Sequence, residues 1–322
     1  MFDIRTLCLV GGVLAMLLTA TTVGQRLKYS SDIGVNPALV EAFNLRIRAW
    51  WLMCTVLAAA FLLGPASRVA TVIVFFLISF WALREFITLT PTRLGDHRAL
   101  FWVFIVFTPL QYLIVGMGVE RYEMLFAVLI PVYAFLFIPA RVAMAGDYKR
   151  FLERVAKIQA GLMICVYCLS YAPAILSLDI PEFKGQNARL LFFFVLLVQL
   201  NDVLQFAWGK LLGHRVIAPA ISASRTWEGF IGGVASTSLI GAALWWATPF
   251  RELWQAAGLS AVIAVMGFAG GMTMSAIKRD RGVKDYGTLV VGHGGVLDRI
   301  DSICFAAPVF YHLTRYLFTP LP

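Results

Sequence analysis

The 322 residues are 60% hydrophobic and 14% charged, with a net charge of +9. A soluble domain carries about 25% charged and 45–50% apolar residues, so a single water-soluble core is excluded and a polytopic helical membrane protein is indicated. The apolar runs are continuous rather than alternating, which argues against a β-barrel, and excess positive charge in such a chain reports basic loops rather than a nucleic-acid partner.

A span needs roughly 20 mainly apolar residues. The candidate spans centre on 6–24, 49–65, 69–83, 99–118, 122–140, 159–177, 188–208, 227–248, 256–277 and 300–318, about ten in all, with 69–83 the shortest. Arg5 before the first run is compatible with a signal peptide, but the run is long and lacks a small-residue cleavage site, so a retained helix is expected. Arg26, Lys28, Arg46 and Arg48 follow the first span, and Arg84, Arg93 and Arg98 follow the third. Arg141, Lys149, Arg150, Arg154 and Lys157 follow the fifth, and Lys210, Arg215 and Arg225 the seventh. Lys278, Arg279, Arg281, Lys284 and Arg299 lie between the ninth and tenth. Under the positive-inside rule this alternation makes those loops cytoplasmic and puts both termini on the other side. Residues 1–187 then form an N-terminal transmembrane region with basic loops, and 188–322 a second one that carries the polar motifs.

The segment 147–157 places Phe151, Leu152 and Val155 on one face amid basic residues. It reads either as an interfacial helix among anionic head groups or as an ordinary basic loop. Cys165 and Cys168 form a CxxC inside a span with no partner pair nearby, so they read as small apolar filler. No internal repeat is visible, which weighs against a transporter built from inverted halves.

Polar residues inside a span are costly and usually have a reason. Gln199, Asp202 and Gln205 share one face near the end of the seventh span, beside Asn201. Interhelical hydrogen bonding accounts for the amides but less well for Asp202. A second polar patch runs from Gly209 through Ser222, Arg225, Thr226 and Glu228. The third, Ser275 to Asp301, gathers Lys278, Arg279, Lys284, Asp285, a Gly292-His293-Gly294-Gly295 turn, Asp298, Arg299 and Asp301. Glycines admit anions to backbone amides, cations match phosphates, and Asp298 and Asp301 fall three apart at a helix start. Paired carboxylates beside such cations suit Mg²⁺ shared with a polyphosphate. No GxxxxGK[ST] occurs, so an ordinary P-loop is not indicated.

Ser275-x-x-Lys-Arg, Lys284-Asp285 and His293-Gly-Gly-x-x-Asp-Arg-x-Asp301 resemble the signature of phosphatidate cytidylyltransferases (CDP-diacylglycerol synthases). Thr226-Trp-Glu-Gly-Phe-Ile-Gly-Gly and Asn201-Asp202 are similar to further motifs of that family, and Arg46-x-Arg48-x-Trp50-Trp51 to a first-loop pattern in some members. Ala223 and Arg225 stand where the family often has proline and lysine, and Gly271 where many bacterial members carry an acid. That pattern points to a divergent branch in which one metal ligand has no counterpart.

The resemblance implies an integral enzyme, of the inner membrane if bacterial, with its site facing the cytoplasm. It would transfer CMP from CTP to phosphatidic acid, with Mg²⁺ and room for a second cation. It implies Mg²⁺ at Asp285 and Asp298, assisted by Asp202 or Asp301. Lys284 and Arg299 would meet the pyrophosphate charge. Arg225, Lys278 and Arg279 would bind the triphosphate or the lipid phosphate. Ser222, Thr226, Glu228 and Ser275 would lie in the substrate site, Gly294 and Gly295 would offer amides, and His293 would orient a phosphate or stabilise the turn. A homodimer is also implied, although no heptad or GxxxG seam shows one. Three alternatives stay open: a CDP-archaeol-type synthase, a polyprenol or phytol kinase, and a lipid or anion transporter.

Overall fold

The computed structural model describes residues 4–29, 44, 51, 67–89, 92–287 and 294–319. The expected span at 49–65, apart from Trp51, lies outside them, together with Arg46, Arg48 and His293. Among the described residues the apolar runs fold into α1 (Ile4–Tyr29), α2 (Ser67–Thr88), α3 (Leu94–Met117), α4 (Val119–Ala143) and α5 (Phe151–Ser177). After these come α6 (Asn187–Leu211), α7 (Trp227–Ala243), α8 (Leu253–Asp280) and α9 (Leu297–Phe318).

Six of these, α2 to α6 and α8, are long and apolar enough to cross a membrane. At about 1.5 Å per residue a helix of α6's length reaches roughly 38 Å, beyond a hydrocarbon core of about 30 Å. The expectation of about ten spans narrows to these six on length and composition among the described residues. Helix α7 has 17 residues, and α9 opens with Asp298, Arg299 and Asp301. Helices α3, α4 and α5 each contain a π-turn, at Val103–Phe107, Leu129–Ala134 and Met163–Cys168. Pro109 and Pro131 lie next to or inside the first two, where a missing N–H breaks the regular ladder.

The chain is not purely helical. A short antiparallel hairpin, β1 (Val216–Ala218) and β2 (Ser222–Thr226), pairs Val216 with Thr226 and Ala218 with Ser222. The strands are short, β1 apolar throughout (Val-Ile-Ala) and β2 mostly polar (Ser-Ala-Ser-Arg-Thr), so neither alternates with period two, and the all-α expectation missed them. The 147–157 segment also differs from expectation. Residues from Phe151 onward are the first turns of α5 itself, after Arg150 in a left-handed conformation (φ 49°). Arg154 does not face head groups: it is buried and grips Asp96 of α3 through Nε (2.9 Å) and Nη2 (2.6 Å). Its Nη1 donates to the carbonyls of Asp147 and Lys149, and the hydrogen bond from Arg93 holds the Asp147 carboxyl below the usual carboxylate range.

Helices α2 to α9 alternate in direction, so one end of the bundle gathers the close of α2, α6 and α8 with the start of α3, α5, α7 and α9. At the other end Arg68 reaches Ser177 (2.8 Å) and Arg315 pairs with Glu123. Helix α6 packs mainly on α7, while α8 packs on both α7 and α9. The contact of α6 with α7 is close because Gly209 and Gly229 face each other: a Cβ on Gly229 would lie 3.1 Å from the Gly209 Cα. One apolar core runs through both sides of residue 187, joining Phe86 of α2 to Ile300 and Phe310 of α9.

Candidate active site

Asn201 ties α6 to α7 and α8, and Gln205 supports it from within α6. The Asn201 amide donates to the Ala264 carbonyl (3.1 Å), and its oxygen accepts from Gln205 (3.1 Å) and Thr237 (3.4 Å). Gln199 donates to the Arg299 carbonyl (3.2 Å). Asp202 has a different setting. Both its oxygens accept from the Ser302 hydroxyl, at 3.1 and 2.9 Å. Asp301 accepts from the Ser302 amide (2.7 Å), so Ser302 bridges Asp202 of α6 and the last acid of the third polar patch.

These two acids line a cavity of about 250 Å³ between α6, β2, α7, α8 and α9. Arg225, Asp298 and Arg299 also line it, and Val203, Phe206, Phe230 and Phe268 supply apolar wall. Helix α7 starts at the cavity because Thr226 caps it, its hydroxyl accepting from the Gly229 amide (3.1 Å). One residue earlier, β2 delivers Arg225. Its guanidinium lies over the Phe268 ring (5.3 Å) and above Gly271, where a Cβ would meet Nη2 at 2.1 Å and Cζ at 2.9 Å. The two departures at positions 225 and 271 are therefore one feature: the bare helix surface at Gly271 is the seat of the Arg225 guanidinium.

The Asp298 side chain is 8% exposed, and both its oxygens have partners. Its Oδ1 faces Lys278 Nζ at 2.8 Å, and its Oδ2 accepts from the amides of Tyr286 (2.9 Å) and Gly295 (2.8 Å). The Gly295 amide is thus committed within the chain, unlike the phosphate-facing amide expected. Gly294 takes φ 81°, and a Cβ there would fall 2.7 Å from Asp298 Oδ2 and 3.0 Å from the Asp285 Cβ. Tyr286 stacks on Phe86 (6.4 Å) and donates its hydroxyl to the Met274 carbonyl (2.8 Å). Burial raises that hydroxyl's pKa and keeps it protonated as a donor.

The remaining expected residues lie around the cavity rather than in its lining. Glu228 accepts from the Arg215 amide (3.2 Å) and closes the base of the hairpin. Ser222 meets Ser224 (3.3 Å), and Arg279 donates to the Ile221 carbonyl (3.2 Å), tying α8 to the hairpin. Ser275 donates back to the Gly271 carbonyl (2.6 Å), while Lys284 and Asp285 are exposed. Two neighbours of these residues escaped sequence reasoning. Ser302 was hidden beside Asp301, and its spacing to Asp202 carries no local pattern. Glu85, buried at the end of α2, accepts from the amides of Val296 (3.0 Å) and Leu297 (2.9 Å), yet in the sequence it looks like any charge ending a span.

The family model described as the cytidylyltransferase family matches residues 44–317. The uncharacterized protein YnbB of Escherichia coli (strain K12) is 40% identical over 279 residues, covering 85% of this chain and 87% of that protein. The phosphatidate cytidylyltransferase of Staphylococcus aureus (strain COL) is 33% identical over 129 residues, covering 40% of this chain and 50% of that protein. The phosphatidate cytidylyltransferase of Staphylococcus epidermidis (strain ATCC 12228 / FDA PCI 1200) matches at the same identity and coverage, so this chain spans half the length of both enzymes.

Proposed function

The chain belongs to the cytidylyltransferase family, and from that membership we propose that it transfers CMP from CTP to the phosphate of phosphatidic acid, giving CDP-diacylglycerol and pyrophosphate. The observation that carries the reading is the cavity at the helix ends, where Arg225 and Arg299 meet Asp202 and Asp301 beside an apolar wall. Such a site suits a reaction between a charged nucleotide and the head group of a bilayer lipid. The concentration of basic residues at this end of the bundle supports a cytoplasmic site, with both termini on the opposite face.

The lipid phosphate is ionised at neutral pH and is the nucleophile, so no strong general base is needed. Its oxygen attacks the α-phosphorus of CTP, and the bond from that phosphorus to the bridging oxygen of the β-phosphate breaks, releasing pyrophosphate. The barrier lies in bringing anions together, so the chain contributes positioning and charge. Arg225 and Arg299 neutralise phosphate oxygens inside the cavity, and Lys278 meets them from its rim. Lys278 also holds Asp298, so the ion pair fixes where both groups sit.

Among the described residues no three His, Cys, Asp or Glu side chains form a ready metal cage. Mg²⁺ commonly uses only one or two carboxylates together with water and substrate phosphates, and Asp202 and Asp301 fit that role. Asp298 fits it less well, because both its oxygens already have partners. When bound, Mg²⁺ would offset triphosphate charge and polarise the α-phosphorus. Ser302 orients the two acids toward each other.

The test is pyrophosphate release by the purified protein given CTP, Mg²⁺ and phosphatidate, compared with Asp301→Asn. The reading predicts release in the wild type and loss in the variant. CDP as the product would instead indicate a kinase, preference for an ether-linked isoprenoid phosphate a CDP-archaeol-type synthase, and lipid uptake without turnover a transporter.

A further inference from the structure

Glu85 is an acid with no part in the reaction outlined above. It is 5% exposed, and its two oxygens accept from consecutive amides, Val296 at 3.0 Å and Leu297 at 2.9 Å. These amides open α9, where a helix leaves its first N–H groups without partners and its dipole favours an anion. Asp298 takes the preceding amide, that of Gly295, at 2.8 Å. Between them the two carboxylates hold three successive N–H groups. The positive end of α9 is thereby answered inside the chain.

Two glycines make room for Glu85. A Cβ on Gly295 would fall 2.2 Å from its Oε2, and one on Gly287 would fall 2.7 Å from its Oε1. Gly295 does not have a positive φ, unlike Gly294 at 81°, so the need for glycine at 295 is one of space. Next to Glu85, Phe86 stacks on Tyr286, whose amide also serves Asp298. The end of α2 thus braces both sides of the turn that leads into α9.

We propose that Glu85 is a positioning residue for the reaction. It locks the first turn of α9 so that Asp298, Arg299 and Asp301 face the cavity, and Gly295 is glycine in order to seat this carboxylate rather than a phosphate. The kinetic part rests on the proposed CMP transfer, whereas the seating itself does not.

The test uses the full chain in detergent or lipid discs, with Glu85→Gln, Gly295→Ala and the double variant. Glutamine keeps the size but offers one acceptor oxygen, so exchange of the amides in 294–300 should accelerate about tenfold, the equivalent of about 1.4 kcal/mol. The kcat for pyrophosphate release should fall about tenfold or more, with KM for CTP and lipid within about twofold. Because both single changes displace the same carboxylate, the double variant should be no worse than the poorer single one. Unchanged exchange in Glu85→Gln would overturn the seating. Faster exchange with wild-type kcat would reduce Glu85 to a helix cap and overturn the positioning role. Additive losses would show that Gly295 acts independently. A wild type with no CMP transfer would refute the functional reading alone, and the exchange data would still decide the seating.

Discussion

Gly271→Ala separates the chemistry of the cavity from the stability of the bundle. The new Cβ would lie 2.1 Å from Arg225 Nη2, 2.9 Å from Cζ and 3.1 Å from Nη1. The obstructed atoms are the far end of a flexible side chain, so the guanidinium moves and the backbone stays. Leaving its seat costs Arg225 the Phe268 ring, a cation–π contact worth about 0.5–2 kcal/mol. Replacing a helical glycine by alanine returns roughly 1 kcal/mol, so the unfolding temperature should scarcely change. Activity should change greatly. A charge-assisted hydrogen bond to phosphate contributes about 1.5–3 kcal/mol, which converts to a loss of roughly 10- to 150-fold in kcat/KM. Pyrophosphate release and thermal unfolding, measured on the same preparation, check both halves. Arg225→Ala should match the loss, and the double variant should add little to it. Wild-type kcat/KM in Gly271→Ala would refute the idea that the guanidinium works from this seat.

Three other outcomes follow from the same geometry. Asp298→Asn should abolish turnover and lower stability by about 3–5 kcal/mol, because it strands Lys278 in a nearly buried site; Lys278→Met in the same chain should restore the unfolding temperature but not pyrophosphate release. Ser302→Ala should raise the Mg²⁺ needed for half-maximal rate and cut kcat/KM about tenfold, seen in a Mg²⁺ titration, since Asp202 loses a hydrogen bond to a charged group. Asp96→Asn should lower the unfolding temperature sharply through the buried Arg154 while kcat per folded molecule holds, and an apolar replacement of both partners should recover much of the loss.

Most helices were readable because apolar runs of span length leave few other structures: the run at 188–208 became Asn187–Leu211, and the short one at 69–83 became Ser67–Thr88. The interhelical hydrogen-bonding reading holds for Asn201 and Gln199, which reach α8 and α9, whereas Gln205 donates to Asn201 within α6 itself. The third polar patch was recognisable because its residue types cluster along the chain. Contacts made across the chain left no such trace. Glu85 binds backbone amides, which every residue carries, and its partners lie more than two hundred positions away. Gly271 and Arg225 looked like two unrelated departures until the fold put one above the other. Neither reading of 147–157 foresaw the role of Arg154, because its partner Asp96 comes from another helix.

In the proposed reaction the α-phosphorus of CTP moves to a lipid phosphate at the cavity lined by Asp202, Arg225, Asp298, Arg299 and Asp301. The direct measurement incubates the purified protein with phosphatidate, Mg²⁺ and CTP labelled at either the α- or the γ-phosphorus, then counts label in the extracted lipid. CMP transfer puts α-label in the lipid and γ-label in released pyrophosphate, with both lost in Asp301→Asn. Label from the γ-position in the lipid, or none from either, would contradict it.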